Sequence, residues 1–421
     1  MNDEISRRSV EAVFRIEAPR LIGALARLTR DVGRAEDLAQ DALVAALEQW
    51  PRDGIPGNPA AWLMAAAKNR AVDHFRREAM QRRVHESIGT EAEPRAATEA
   101  VDQALDDDVG DDLLRLMFVS CHPALPPDGR VALTLRILGG LTTAEIARAF
   151  LAPEATIAQR IVRAKRSLAE KRVPFEVPRG EERSARLASV LETIYLVFNE
   201  GYAASSGDEW MRPDLSEEAL RLGRVLAGLA PYEPEVHGLV ALMELQASRF
   251  PARRAADGTP VLLPDQNRAL WDPLLIRRGL AALERALRLA TPPGPYALQA
   301  AIAACHARAP TAAETDWRAV VSLYDALLGW MPSPVVALNR AVAVGMASGP
   351  AEALPLVEAL AADPAMASYH LLPGVRGDLL EKLGRRDEAR AEYQRAASLT
   401  GNARERDLLL GKAARCTPRR G

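Results

Sequence analysis

The chain has 421 residues, 48% hydrophobic and 26% charged, enough for more than one hydrophobic core and too much for a lone module. Its 54 basic and 56 acidic side chains nearly cancel, so charge points to a partner only locally; aromatic residues at 5% beside abundant Ala and Leu point to an all-α fold. Cys121, Cys305 and Cys416 have no paired spacing, which excludes a disulfide framework or zinc cluster and fits a reducing cytoplasm.

The first twenty residues carry charges throughout and lack the apolar core of a signal peptide, and no later segment is predicted to span a membrane. From Val10 to about Arg83 the chain reads as helices interrupted by the Pro/Gly stretch between Trp50 and Trp62. Leu38, Ala42, Ala45 and Ala46 repeat at helical spacing before the break, and Trp62, Ala66, Asn69, Asp73 and Arg76 after it. Residues 86–112 hold ten acids against one Arg and few large apolar side chains, the composition of a mobile linker.

A second compact unit is expected over 113–178. Within it a helix from about Thr143 to Phe150, a short turn and a helix from Pro153 to about Lys171 form a helix-turn-helix. The second helix carries Arg160, Arg163, Lys165, Arg166, Lys171 and Arg172 against Glu154 and Glu170. From about 179 to 421 the chain is Ala/Leu-rich and repeats weakly at a period suited to helical hairpins, most clearly at Gly377, Gly384, Ala389, Tyr393 and Ala396. This predicts a solenoid, interrupted by an insertion between Gln246 and Trp271 with a short hairpin near Asp257 and Gly258.

No phosphate loop, metal constellation or serine elbow appears, so neither catalysis nor a cofactor or metal is expected. The Cys121-His122-Pro123 sequence reads as a buried thiol at a helix end, because adjacent helical residues point apart. The basic residues say more. Lys68, Arg70, Arg76, Arg77, Arg82 and Arg83 form a second cationic stretch, so two basic helices in two units can grip phosphates at two places on one DNA. In a helix-turn-helix the start of the second helix enters the major groove, which selects Thr156, Gln159, Arg160 and Arg163 as base readers.

These segments resemble regions 2 and 4 of extracytoplasmic-function (ECF) sigma factors of the sigma-70 family. Asp37, Gln40, Asp41, Trp62, Leu63, Ala67, Asn69, Asp73, Arg76 and Arg77 match region 2; Glu145, Ile146, Ala147, Thr156, Arg160, Arg163 and Ala164 match region 4. The remainder is similar to the tetratricopeptide-like extension of one ECF subgroup. The resemblance implies that residues 1–85 dock on the β′ clamp helices of bacterial RNA polymerase core through Asp37, Leu38, Gln40, Asp41 and Ala45. It further implies that Lys68, Asn69, Arg70, Asp73, Arg76 and Arg77 engage the −10 element of promoter DNA, and that Thr156, Gln159, Arg160, Arg163, Lys165 and Arg166 engage the −35 element. The repeats are expected to regulate the sigma regions, in cis or through a protein or peptide partner. A helix-turn-helix regulator acting without core polymerase is the alternative; it leaves the Ala35–Leu43 helix and the Lys68–Arg77 block without a task.

Overall fold

A computed structural model describes residues 2–85, 109–205, 207–256 and 258–416. The described residues form α-helices and short 3-10 turns with two isolated β-bridges and no strand. They divide into two compact units, 1–194 and 195–421.

In the first unit α1 (Asn2–Thr29), α2 (Val32–Asp53) and α3 (Pro59–His85) are followed by α4 (Val109–Ser120), α5 (Pro127–Ile137), α6 (Thr143–Ala149), α7 (Glu154–Glu170) and the first part of α8 (Gly180–Tyr202). α1 packs on α2 and α4, and α7 on α5 and α6. Asp31 starts α2 by accepting the Arg34 N–H at 3.1 Å, and Gly54, at φ 85°, ends it. Between these caps Ala35, Ala39, Ala42 and Ala46 are completely buried, and their small side chains let α1 approach closely. The Trp50 and Trp62 rings meet edge to face at 5.3 Å, which makes Trp62 part of the packing.

Two expected boundaries move. The acidic stretch predicted as a linker lies outside the described residues over 86–108, but its last four residues are the first turn of α4. There Asp112 is buried, 3.0 Å from Arg27 of α1 and 2.7 Å from Arg115. Burial pushes its carboxyl above the usual range, against the pull of both arginines. The second shift is at 178: Leu187, Val190, Leu191 and Ile194 of α8 are buried, Ser189 donates to the Cys121 carbonyl at 2.6 Å, and Arg130 reaches Glu192 at 2.9 Å. The first unit therefore continues sixteen residues further, to Ile194. Cys121 is the inert buried thiol expected, 3.3 Å from the Thr134 hydroxyl.

The second unit continues with α9 (Pro213–Leu229), α10 (Pro234–Ala247), α11 (Pro273–Leu289), α12 (Pro295–Arg308), α13 (Trp317–Trp330), α14 (Pro334–Ser348), α15 (Pro350–Leu360), α16 (Leu371–Lys382), α17 (Arg386–Leu399) and α18 (Ala403–Arg415). From α9 to α18 each helix packs on the next, as a helical-hairpin array requires. In the α16–α17 hairpin Ala389, Tyr393 and Ala396 are fully buried, Gly384 turns the chain at φ 77°, and a Cβ at Gly377 would lie 2.8 Å from the Tyr393 ring. The insertion contains the expected turn, with the Ala255 N–H donating to Thr259 O at 2.9 Å and a bridge between Arg254 and Pro260; Asp257 is outside the described residues.

The array is not open-ended. Asn402, 1% exposed, caps α18 by accepting the Glu405 N–H, while its amide donates to the carbonyls of Ala204 at 3.2 Å and Glu209 at 2.8 Å. Its neighbour Ala403 donates to Gly207 O at 3.0 Å, so the last helix is tied to the loop that follows the first. Asn402→Ala removes a cap and takes a donor from the carbonyl of buried Ala204, while that of exposed Glu209 can turn to water; the expected loss is about 1 to 2 kcal/mol. Hydrogen exchange should show it as lost protection concentrated in α18 and residues 203–210.

Candidate nucleic-acid interface

The helix-turn-helix is assembled locally. Thr142 accepts the Glu145 N–H at 3.1 Å and Glu145 accepts the Thr142 N–H at 2.8 Å, a reciprocal cap that starts α6. Arg15 of α1 lies 2.6 Å from the same Glu145. Burial opposes ionisation of this carboxyl, but the bonds from Thr142 and Arg15 outweigh it and hold it below its ordinary range. The turn to α7 passes through Leu151 at φ 47°, a left-handed conformation that costs a non-glycine residue about 1 to 2 kcal/mol.

Ile157, Ile161, Ala164 and Leu168 form the buried stripe of α7. On the opposite face, at helical spacing, stand Gln159, Val162, Arg163 and Arg166, all exposed. Thr156, Arg160 and Lys165 occupy the flanks, each partly buried. Arg160 is 2.9 Å from Asp128 of α5, Arg166 is 2.6 Å from Glu170, and Lys165 is 2.5 Å from Glu36 and 3.6 Å from Asp37 of α2. The predicted readers therefore divide: Gln159, Arg163 and Arg166 project outward together, whereas Arg160 and Lys165 are engaged within the unit.

On α2, Asp37 and Asp41 are exposed and Gln40 is half-buried, one helical turn apart on one side. Leu38 and Ala45, expected on the same docking face, are buried in the unit instead. Spacing alone put them together, but the apolar side chains turn toward α1 and α3 and leave the polar ones outside. On α3, Leu63, Ala67 and Ala71 are buried, Asn69 and Asp73 exposed, and Lys68 and Arg70 half-buried; Arg70 lies 3.8 Å from Asp41. Arg76 and Arg77 continue the helix, and their side chains lie outside the described residues. A groove of about 420 Å³ separates α2 from α7, with Gly33, Asp37, Asp41, Lys165 and Arg166 in its walls.

Residues 13–80 match the sigma-70 region 2 family and residues 115–168 the sigma-70 region 4 family, while 186–287 match a family of unknown function, DUF6596. The chain is 46% identical to the uncharacterized protein R00370 of Rhizobium meliloti over 92% of its own length and 91% of that protein. It is 33% identical to the ECF RNA polymerase sigma factor SigK of Mycobacterium ulcerans over 35% of this chain and 78% of the relative. With SigL of Mycobacterium tuberculosis it shares 32% identity over 34% of its length and 76% of that ECF sigma factor.

The chain belongs to the ECF sigma factors of the sigma-70 family.

This sigma factor directs promoter-specific transcription initiation, a non-enzymatic task that requires RNA polymerase core and promoter DNA. Among the described residues no helix is long and apolar enough to cross a membrane. Sequence reasoning passed over Val162, which is 62% exposed between Gln159 and Arg163 on the outward face of α7. Its signal was present: a β-branched apolar residue between Gln159, Arg163 and Arg166 on a face otherwise lacking large apolar side chains suits contact with a thymine methyl. It also passed over Glu36, whose partners come from helices about 100 residues away in sequence, Arg136 at 2.6 Å and Lys165 at 2.5 Å.

Removing the Glu36 charge takes the carboxylate from Arg136 and leaves Lys165 only the longer, exposed contact with Asp37. Glu36→Gln is expected to cost about 3 kcal/mol, and a cycle with Lys165→Met to give a coupling of about 0.5 to 3 kcal/mol. Hydrogen exchange within α2 and α7 is the measurement, since two units need not unfold as one.

Proposed function

We propose that the outward face of α7, formed by Gln159, Val162, Arg163 and Arg166, reads the −35 element, with Thr156 beside it. Arg160 and Lys165 then act from the flanks, on phosphates and in positioning. Lys68, Asn69, Arg70, Asp73, Arg76 and Arg77 of α3 serve the −10 element, and Asp37, Gln40 and Asp41 of α2 dock on the β′ clamp helices, with Leu38 and Ala45 supporting that face from beneath. The observation that carries this reading is the opposition on α7 of a fully apolar buried stripe and an outward face of long polar side chains. A helix held in this way presents its donors to a groove without disturbing its own packing.

The same reading gives the Lys165 contact with Glu36 and Asp37 a consequence. It holds a flank of the −35 helix beside the docking face of α2, so engagement of core polymerase has to exchange this contact for others. We further place the protein in the cytoplasm, where core polymerase and the chromosome are. The C-terminal array is read as a tetratricopeptide-like regulator of the sigma regions, supported by its size, which exceeds that of the first unit, and by its stacked hairpins.

In vitro transcription with purified core polymerase on a promoter library tests the reading. Loss of Gln159 or Arg163 should cost about 1 to 3 kcal/mol and relax preference at one upstream position, whereas Lys171→Ala or Arg172→Ala should weaken all promoters alike. Asp41→Lys combined with Gln40→Ala should reduce core binding with helicity unchanged. For the array, a chain ending after Tyr202 keeps α8 whole, as the packing of Ser189 and Ile194 demands. A change in promoter-specific transcription relative to the full chain supports regulation; equal activity and equal preference remove it.

A further inference from the structure

The C-terminal unit contains a group of three arginines, Arg249, Arg253 and Arg268, none of which forms an ion pair among the described residues; Glu314 acts on Arg268 only from a distance. The Arg253 guanidinium lies 3.4 Å from the centre of the Tyr202 ring and 5.6 Å from that of Trp210. Arg249 lies 5.5 Å from Tyr202 and 5.9 Å from Trp271, and Arg268 lies 5.0 Å from Trp271. Three cations and three rings thus alternate in one ladder, drawn from the end of α8, the loop before α9 and the insertion ahead of α11. Arg253 and Trp271 are each only 5% exposed, while Arg249, Arg268, Tyr202 and Trp210 are half-buried, so the ladder has an inner end and an accessible side.

Elsewhere in this unit enclosed arginines meet carboxylates: Arg212 pairs with Glu200, Arg224 with Glu244, and Arg376 with both Glu358 and Glu392. The ladder arginines have no such partner among the described residues. Arg249 bonds to the Tyr202 hydroxyl, and Arg268 to the carbonyls of His306 and Ala309 and to the Thr315 hydroxyl. Their mutual repulsion is visible in their surroundings. Burial first, and then Arg249 and Arg268, hold His306 down to about 4, so its ring is neutral and leaves the ladder's positive charge as it is.

Stacking explains how the cations are tolerated and leaves their edges unexplained. An aromatic face attracts a guanidinium from above but accepts none of its in-plane N–H groups. Arg249 Nε, Arg253 Nη1 and Arg268 Nε are buried without an acceptor among the described residues, and so are the indole Nε1 atoms of Trp210 and Trp271. Five enclosed donors beside three positive charges with no ion-pair partner suit acceptors that carry negative charge.

We propose that Arg249, Arg253 and Arg268, with the indole N–H groups of Trp210 and Trp271, form a binding site for the oxyanion group, phosphate or carboxylate, of a small ligand. The site lies wholly within the C-terminal unit and does not depend on how the sigma regions read DNA. Guanidinium edges held in plane by ring stacking suit two-point contact with either group.

The test uses the full chain in a chloride buffer of fixed ionic strength, with inorganic phosphate and malonate titrated separately and read by tryptophan fluorescence and by melting temperature. A saturable response to at least one of them, which added chloride does not reproduce, is expected. A response to phosphate alone assigns the phosphoryl source and one to malonate alone the carboxylate source. Arg253→Gln should weaken the responding anion by about tenfold or more. Arg249→Lys, which keeps the charge and the fold but loses the planar fork, should weaken it as well. Arg254→Gln, at the exposed neighbouring position, should leave affinity unchanged. No saturable response to either anion in the unaltered chain, or the same affinity in Arg249→Lys as in the unaltered chain, overturns the proposal.

Discussion

One carboxylate organises the sigma unit. Glu36 is buried on α2 and receives Arg136 from α5 and Lys165 from α7, so three helices brought together from two sigma regions share a single negative charge. A buried charge is tolerated only when it is paired, and Glu36 loses a partner if either α5 or α7 withdraws. The neighbouring contacts follow the same plan. Arg15 of α1 reaches Glu145 at the start of α6, and Arg27 of α1 reaches Asp112 at the start of α4. Acids placed in the first turn of a helix also complement its dipole, so each serves its own helix and the joint with another.

The ladder arginines are handled differently from the enclosed arginines of the rest of the chain. In the sigma unit the buried guanidinium of Arg130 is met by the Ser189 hydroxyl and the Glu192 carboxylate, and the result is a fixed scaffold. In the C-terminal unit Arg249, Arg253 and Arg268 are met by rings and carbonyls, and their charge remains. Evenly paired charges suit a framework that has to hold its shape while its surface meets DNA. Unpaired charges in an otherwise well-paired domain raise its energy locally, and such a cost is characteristic of binding sites.

Much of the fold was legible before any coordinates. The caps Asp31, Thr142 and Gly384, the alanine stripe of α2 and the Pro153 start of α7 are local signals, and each does what its chemistry predicts. What could not be read depends on contacts distant in sequence. Helical spacing places Leu38 beside Asp37 and Arg160 beside Gln159, but which face another helix covers is decided by α1 and α5, not by the segment itself. The acids ending the expected linker were misassigned for the same reason: Asp111 and Asp112 read as solvated charge until Arg27 and Arg115 are seen beside Asp112. The arginine ladder was hidden more thoroughly. Its members are scattered from Tyr202 to Trp271 across a stretch without periodicity, which the sequence marks only as an interruption of the repeat.

The pairing of cations on α7 also bears on how strongly this sigma factor feels salt. Six Lys and Arg side chains between Arg160 and Arg172 suggest as many phosphate contacts when counted from sequence. In the folded chain Arg160, Lys165 and Arg166 already face Asp128, Glu36 and Glu170. A cation that leaves a carboxylate for a phosphate exchanges one anion for another, and the freed carboxylate recruits cations from solution, offsetting the counterions released from DNA. The slope of binding against salt, about 0.9 for each phosphate neutralised, should therefore follow the cations outside these pairs more closely than the total on the helix. The proposed readers Gln159 and Arg163 are outside this exchange, since they stand on the outward face while the ion pairs on either side hold the helix that carries them.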